Sequence, residues 1–216
     1  MITRRSLFTI LAALPLAACQ STAQQAEPRR NRRMNYAPVS EDSWYIGAIP
    51  DDPVDIPTVD WALMPEEFRR QRVLYLGRER PGTIVIDTSQ RFLYYVEGGG
   101  VATRYGIGVG KEGYAFQGTA RVGRKAVWPG WSPTSSMLAV NPSLPQHLPG
   151  GVDNPLGARA LYLYQGDRDT LFRIHGTNEP WSIGKAVSSG CIRMMNEDVY
   201  HLYQRVGVNT PVIVRN

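Results

Sequence analysis

The stretch RIHGTNEPWSIGKAVSSGCIRM, residues 173–194, decides how the whole chain is interpreted. It contains one of three histidines and one of two cysteines in the 216-residue chain, His175 and Cys191, sixteen positions apart. A β-rich run ends at His175, and the small residues before Cys191 predict a turn that leads into a helix. The two residues are therefore candidates for a nucleophile and its base.

The residues beside this pair supply what a cysteine nucleophile needs. A thiol with a pKa of about 8.5 is mostly protonated at neutral pH, so a base must take its proton and a third group must orient the base. The unobstructed carbonyl of Gly176 can accept a ring N–H from His175. Backbone N–H groups in the turn at 188–191 can converge on an oxyanion, and Gly190 leaves that approach open. On spacing alone, a structural histidine and a cysteine that packs as a small hydrophobic residue stay the alternative.

From Pro81 onward the sequence is a series of β-rich runs separated by short turns, which predicts a mostly β fold. The first three runs are joined by Thr-Ser-Gln and by three consecutive glycines, so we expect a meander of antiparallel hairpins. The last run is expected to close the sheet. The predicted strands are 83–87, 91–96, 102–107, 119–127, 160–164, 171–175 and 211–214.

Two segments interrupt the predicted strands. Residues 128–156 contain six prolines and little periodicity, which predicts a long functional loop or lid. Asn196 is predicted to cap a helix with Glu197 and Asp198 in its first turn, ending before Gly207.

Two further patterns match functional motifs but lack the required context. Residues 108–113 match G-x-G-x-x-G, yet no helix is predicted after them. Residues 182–185 match the S-x-x-K motif of penicillin-binding enzymes without its helix or its Lys-Thr-Gly strand. The histidines and Cys191 lack metal-ligand spacing, so neither a metal nor a cofactor is expected.

Residues 1–19 are predicted to be an export signal. A charged start with two arginines precedes an apolar run too short to span a bilayer. The run ends in Leu-Ala-Ala-Cys, typical of a lipidated cysteine at Cys19, with a plain cleaved signal as the alternative; the arginine pair leaves the export route open. A lipidated Cys19 cannot form a disulfide, so a chemical role for Cys191 is favoured over a Cys19–Cys191 bond. The chain is thus expected in the periplasm or cell envelope, anchored to a membrane through lipid.

The rest of the chain divides by composition into three further regions. Residues 20–40 are polar with a basic run and predict a flexible tether. Residues 41–80 predict an N-terminal extension packed on the core, with a helix at 65–70. Residues 81–216 form the predicted catalytic domain. The net charge of +5 is compatible with an acidic ligand, but without a binding motif nucleic acid is not expected as a partner.

The motif IHGT followed by SSGCIRM resembles the signature of the YkuD-type (ErfK/YbiS-like) L,D-transpeptidases. The likeness covers roughly residues 82–214 and includes Trp128, Trp131 and LPGGVDNPLGARALYLY at 148–164. The resemblance implies an antiparallel β-sandwich or barrel-like catalytic domain with a long loop and one or two short helices.

The resemblance also implies a two-step acyl transfer on peptidoglycan stem peptides. Cys191 would attack the diamino acid carbonyl of a tetrapeptide stem and expel the terminal D-Ala. His175 would act as base and then acid, oriented by the Gly176 carbonyl, and the N–H groups of Gly190 and Cys191 would hold the oxyanion. An amine of a second stem, or of an outer-membrane protein or lipoprotein, would resolve the thioester.

The substrate-binding residues implied by the resemblance surround this pair. Arg193 would hold a substrate carboxylate or, alternatively, brace the loop. The chain departs from the family at 114–119, where many relatives have a Thr-Pro-Thr-Gly-like turn, and at Ser189, where many have His. The implied substrate-binding residues are Arg193, Ser188, Ser189, Trp128, Trp131 and Tyr114.

Two alternatives to a transpeptidase stay open at the sequence level. A hydrolase, an L,D-carboxypeptidase or amidase, would use the same acyl-enzyme with water as the acceptor. A catalytically silent wall-binding lipoprotein is disfavoured because Cys191 and His175 are both present.

Overall fold

The computed structural model describes residues 41–110, 116–188 and 190–216. The predictions for the export signal with Cys19, the tether, Tyr114 and Ser189 lie outside these residues.

The described residues form a mostly β domain with thirteen strands and two short α-helices, which confirms the predicted fold class. The strands are Tyr45–Ile49 (β1), Ile56–Val59 (β2), Gln71–Leu74 (β3), Ile84–Asp87 (β4), Phe92–Gly98 (β5), Val101–Gly106 (β6), Val109–Gly110 (β7), Gly118–Val127 (β8), Arg159–Gln165 (β9), Arg168–His175 (β10), Ala186–Ser188 (β11), Ile192–Arg193 (β12) and Pro211–Arg215 (β13). The helices are Ser135–Val140 (α1) and Asn196–Tyr203 (α2).

Nine of these strands form one large sheet in the order β12-β10-β9-β8-β13-β4-β5-β6-β3. Strands β4, β5 and β6 pair as the predicted antiparallel meander. The sheet is mixed rather than wholly antiparallel, because β13 runs parallel to β4 and β12 runs parallel to β10. Within the described ranges its terminal strands are β12 and β3, which do not pair with each other, so the sheet does not close into a barrel.

The prediction that residues 211–214 close the sheet is wrong. Strand β13 lies in the middle of the sheet, between β8 and β4. Val212 and Val214 are buried, as are Ile84 and Ile86 on the neighbouring strand. A short apolar run is compatible with an edge or a central position, and only its pairing partners distinguish the two.

Helix α2 differs from its predicted form at both ends. Met195 is the N-cap residue and Asn196 is the first helical residue, so the predicted Asn196 cap is wrong, while Glu197 and Asp198 do lie in the first turn. The helix ends at Tyr203. Val199 and Leu202 of α2 pack into the main core with side chains from the sheet.

Two other predicted segments also differ from the observed structure. The proline-rich loop at 128–156 contains α1, whose N-cap Thr134 accepts the backbone N–H of Met137 at 3.3 Å. The predicted helix at 65–70 is a single 3-10 turn, Glu66–Phe68. No helix among the described residues is long and apolar enough to cross a membrane.

Residues 41–80 contact the sheet and α2 through buried polar groups. The Asp51 carboxylate forms an ion pair with Arg159 at 2.6 Å, and both side chains are largely buried. The Val59 N–H donates to the Glu197 carboxylate at 2.9 Å. This part of the chain therefore packs beside the helix that follows the candidate site.

Candidate active site

His175 is the last residue of β10, and its side chain is only 4% exposed. Its Nδ1 lies 2.6 Å from the carbonyl oxygen of Gly176. Because a carbonyl can only accept a hydrogen bond, Nδ1 must carry the hydrogen, and the lone pair of the neutral ring is then on Nε2. The contact between His175 and Gly176 that the resemblance implied is thus present.

The surroundings of His175 keep its imidazole neutral. Burial lowers the pKa of His175 to about 4; the hydrogen bond to Gly176 acts in the opposite direction, and the charges of Arg193 and Arg173 lower the pKa further. At neutral pH the ring is therefore an unprotonated base with a defined tautomer.

Cys191 immediately precedes β12, which pairs with β10 in parallel. Ile192 is opposite Ile174, and Arg193 is opposite His175. Side chains alternate along a strand, so continuing β12 back by two residues puts Cys191 on the same face as Arg193 and His175. The candidate nucleophile and the candidate base therefore come from adjacent strands and share a face.

The Cys191 thiol is a neutral group in the resting site. Burial raises the pKa of Cys191, while the backbone N–H of Arg173 and the charges of Arg173 and Arg193 act in the opposite direction. The sulfur lies 3.9 Å from the carbonyl oxygen of Leu171, a long contact even for sulfur. A raised thiol pKa beside a lowered imidazole pKa favours the neutral pair over a preformed thiolate–imidazolium pair.

A β-bulge in β10 brings Arg173 toward the thiol. The pairing of β10 with β9 shifts register between Asp169 and Arg173, and Leu171 has a φ of 65° and is 76% exposed. The Asp169 carboxylate accepts two hydrogen bonds from the Arg173 guanidinium, at 2.7 and 2.9 Å, and one from the Leu171 N–H at 2.8 Å. The sequence carries no signal for this bulge beyond two oppositely charged residues four positions apart.

Glycine is favoured at Gly190 by its backbone conformation and required at Gly110 by close packing. Gly190 has a φ of 127°, a conformation that favours glycine. A Cβ on Gly110 would lie 2.6 Å from the Gly190 Cα. Gly108 exchanges two backbone hydrogen bonds with Arg193, both at 2.9 Å. The G-x-G part of the nucleotide-like motif thus lets the chain pass close to the candidate site.

Arg193 is paired within the protein. Its guanidinium donates to the carboxylate of Glu179, which lies in the segment between His175 and Cys191. The loop-bracing contact that the sequence left open is therefore present. Ser182, from the S-x-x-K pattern, is buried and its hydroxyl donates to the Glu179 carbonyl at 2.6 Å, so that pattern belongs to the packing of the same segment.

The two predicted tryptophans differ in position. Trp128 is 6% exposed, and its indole N–H donates to Asp51 at 2.9 Å. Trp128 is therefore packed in the core and covered by the segment before residue 81, and its contact with substrate stays a prediction. Trp131 is half-buried and bridges Leu148 through two backbone hydrogen bonds, at 2.9 and 2.8 Å. Ser188 ends β11, paired with Gly110.

The described residues contain no group of three or more His, Cys, Asp or Glu side chains arranged to hold a metal ion. The arrangement defines a class of site: a cysteine beside a buried, neutral histidine whose tautomer is set by a backbone carbonyl. This is the arrangement of a cysteine nucleophile with a histidine base.

Comparison with known proteins identifies the family. Residues 81–214 match the YkuD model, an L,D-transpeptidase catalytic domain. The chain therefore belongs to the YkuD family.

Two individual relatives each match 148 residues of this chain. Probable L,D-transpeptidase YbiS of Escherichia coli is 37% identical over 148 residues, 66% of this chain and 47% of the relative. Probable L,D-transpeptidase ErfK/SrfK of Escherichia coli is 34% identical over 148 residues, 66% of this chain and 46% of the relative. The matched region thus spans about half the length of these relatives.

A solved structure from Brucella melitensis, titled a probable carnitine operon oxidoreductase caia, is 50% identical and covers 68% of this chain and 92% of that chain. Its TM-score is 0.48, so its superposition supports no conclusion, and the activity in its title is not carried over to this chain.

Proposed function

We propose that this protein is an exported L,D-transpeptidase that crosslinks peptidoglycan stem peptides. The observation that supports it best is the neutral His175, with Nδ1–H on the Gly176 carbonyl, on the strand beside Cys191. Membership of the YkuD family supplies the substrate class.

In the first half-reaction, the Cys191 sulfur attacks the diamino acid carbonyl carbon of a tetrapeptide stem while its proton passes to His175 Nε2. The oxyanion accepts hydrogen bonds from the backbone N–H groups of Gly190 and Cys191. The intermediate collapses to a thioester, and the bond to D-Ala breaks as its nitrogen takes the proton from Nε2.

In the second half-reaction, an acceptor amine attacks the thioester carbonyl and gives its proton to Nε2. The sulfur leaves and recovers that proton, which regenerates the thiol. If Arg193 holds a substrate carboxylate, that carboxylate shares the guanidinium with Glu179 or replaces it.

Intact-mass spectrometry with a disaccharide-tetrapeptide donor tests this mechanism. We expect an adduct equal to the protein plus the donor minus one alanine, followed by a dimeric product when an acceptor stem is added. Cys191→Ala is the matched control and should give no adduct; an equal adduct level in that variant would refute the mechanism. Free tripeptide without dimer would instead support the hydrolase alternative.

We also propose that residues 41–80 are an extension that supports the segment between the two catalytic residues. Three contacts favour this role: Tyr45 donates to the Asn178 carbonyl at 3.3 Å, Trp44 and Trp181 have ring centroids 6.3 Å apart, and Ile183 packs in one cluster with Met64 and Phe68. Export, lipidation at Cys19 and a tether at 20–40 complete the proposal. Mass spectrometry of the mature N-terminus would show whether Cys19 carries lipid.

A further inference from the structure

Asn196 is a buried polar residue whose side chain binds backbone outside its own helix. It is 5% exposed at the start of α2. Its Oδ1 accepts the N–H groups of Ala158 at 3.0 Å and Thr177 at 3.2 Å, and its Nδ2 donates to the Thr177 carbonyl at 2.9 Å. The side chain thereby joins the loop before β9 to the segment that leaves β10.

The Thr177 N–H that Asn196 binds belongs to the same peptide unit as the Gly176 carbonyl. One end of this rigid plane donates to Asn196 Oδ1, and the other end accepts the Nδ1–H of His175 at 2.6 Å. Rotation of the plane would break both bonds together. Asn196 thus acts on the orientation and tautomer of His175 through a single peptide.

Two glycines make room for this amide. A Cβ on Gly157 or on Gly176 would lie 2.1 Å from Asn196 Oδ1 in either case. Gly157 also has a φ of 61°, which favours glycine. The three residues are therefore matched in shape, because a side chain at either glycine would displace the amide.

We propose that Asn196 is a positioning residue that holds the Nδ1–H tautomer of His175 and so keeps Nε2 available to the Cys191 thiol. This rests on the proposed role of His175 as the base. Both ends of the amide are needed, because Oδ1 must accept from Thr177 N–H while Nδ2 donates to the Thr177 carbonyl. An ionised Asp at this position would set a carboxylate oxygen against that carbonyl.

Nitrogen-15 NMR of the His175 ring, combined with the iodoacetamide alkylation rate of Cys191, tests this role without any peptidoglycan substrate. In the wild type we expect protonated Nδ1 and unprotonated Nε2. Asn196→Ala should give mixed tautomers and alkylation at pH 7 slower by about 10- to 100-fold, by analogy with the loss of a group that orients a metal-bound histidine.

Asn196→Asp keeps the size of the side chain and covers the case in which Asn196→Ala does not fold. Its ionised form sets a carboxylate oxygen against the Thr177 carbonyl, which the amide does not. At pH 7, where His175 is neutral, we therefore expect mixed tautomers. The wild-type tautomer in this variant at pH 7 would refute the inference.

Asn154→Ala is the matched control, since Asn154 is also buried, at 2% exposed, and binds backbone at Pro129, Pro149 and Leu156. It should lower the melting temperature but keep the tautomer. If Asn196→Ala does the same, Asn196 is only structural. If the tautomer shifts as expected but wild-type protein is not acylated by the donor stem, the positioning role stands and the proposed substrate fails.

Discussion

His175 and Cys191 lie on one face of adjacent strands, but the chain holds them by different means. His175 ends a strand paired on both sides, and the peptide after it is bound by Asn196. Cys191 follows Gly190, whose φ of 127° suits glycine alone, and its thiol is half-buried. Hydrogen bonds orient the His175 ring, and the backbone conformation at Gly190 contributes to the position of Cys191. Substitutions around His175 should therefore change the tautomer of its ring, whereas substitutions around Cys191 should change the position of its thiol.

The largest effect should come from removing the two side chains themselves. Cys191→Ala should abolish acylation, whereas His175→Ala should keep the thiol and slow acylation by about 10²- to 10⁴-fold at pH 7, because only the base is lost. Raising the pH above the thiol pKa should restore alkylation in His175→Ala. Stopped-flow alkylation across pH measures this, and an unchanged rate at pH 7 would mean that His175 is not the base.

A smaller effect should come from the glycines that flank each residue. Gly176→Ala sets a Cβ against Asn196, so it should change the His175 tautomer as well as stability. Gly190→Ala strains the backbone by about 1–3 kcal/mol and should slow acylation while the His175 ring signals stay unchanged. Ring NMR and thermal unfolding of the two variants test this. The same tautomer change in both variants would show that Gly176 and Gly190 do not act separately on His175 and Cys191.

The smallest effect should appear in the pH profile. Lowering the pH through about 4 protonates His175 Nε2, so acylation should be level near neutral pH and fall about tenfold per pH unit below that value. Burial also lowers the pKa of His201 to about 4, and His201 contacts Tyr105 rather than the site. His201→Gln should therefore keep the wild-type profile. A midpoint near 6.5 would show that His175 is not buried as described.

Much of the fold could be predicted from local patterns. The meander at β4–β6 follows from short apolar runs and glycine turns, which depend on neighbours in sequence. The central place of β13 could not be predicted, since it depends on pairing with distant β4 and β8. The burial of Trp128 could not be predicted for the same reason: Asp51, which contacts its indole N–H, is remote in sequence.

By itself, the sequence determined which residues are candidates for the chemistry: one cysteine, one histidine at a strand end, and a glycine beside each. Those assignments depend on residue type and short spacing, and both can be seen directly in the sequence. Only the tertiary structure decided that His175 is neutral, that Arg193 binds Glu179, and that Asn196 holds the Gly176–Thr177 peptide. Burial, charge pairing and hydrogen bonds to backbone arise when distant segments meet, so no local pattern contains them.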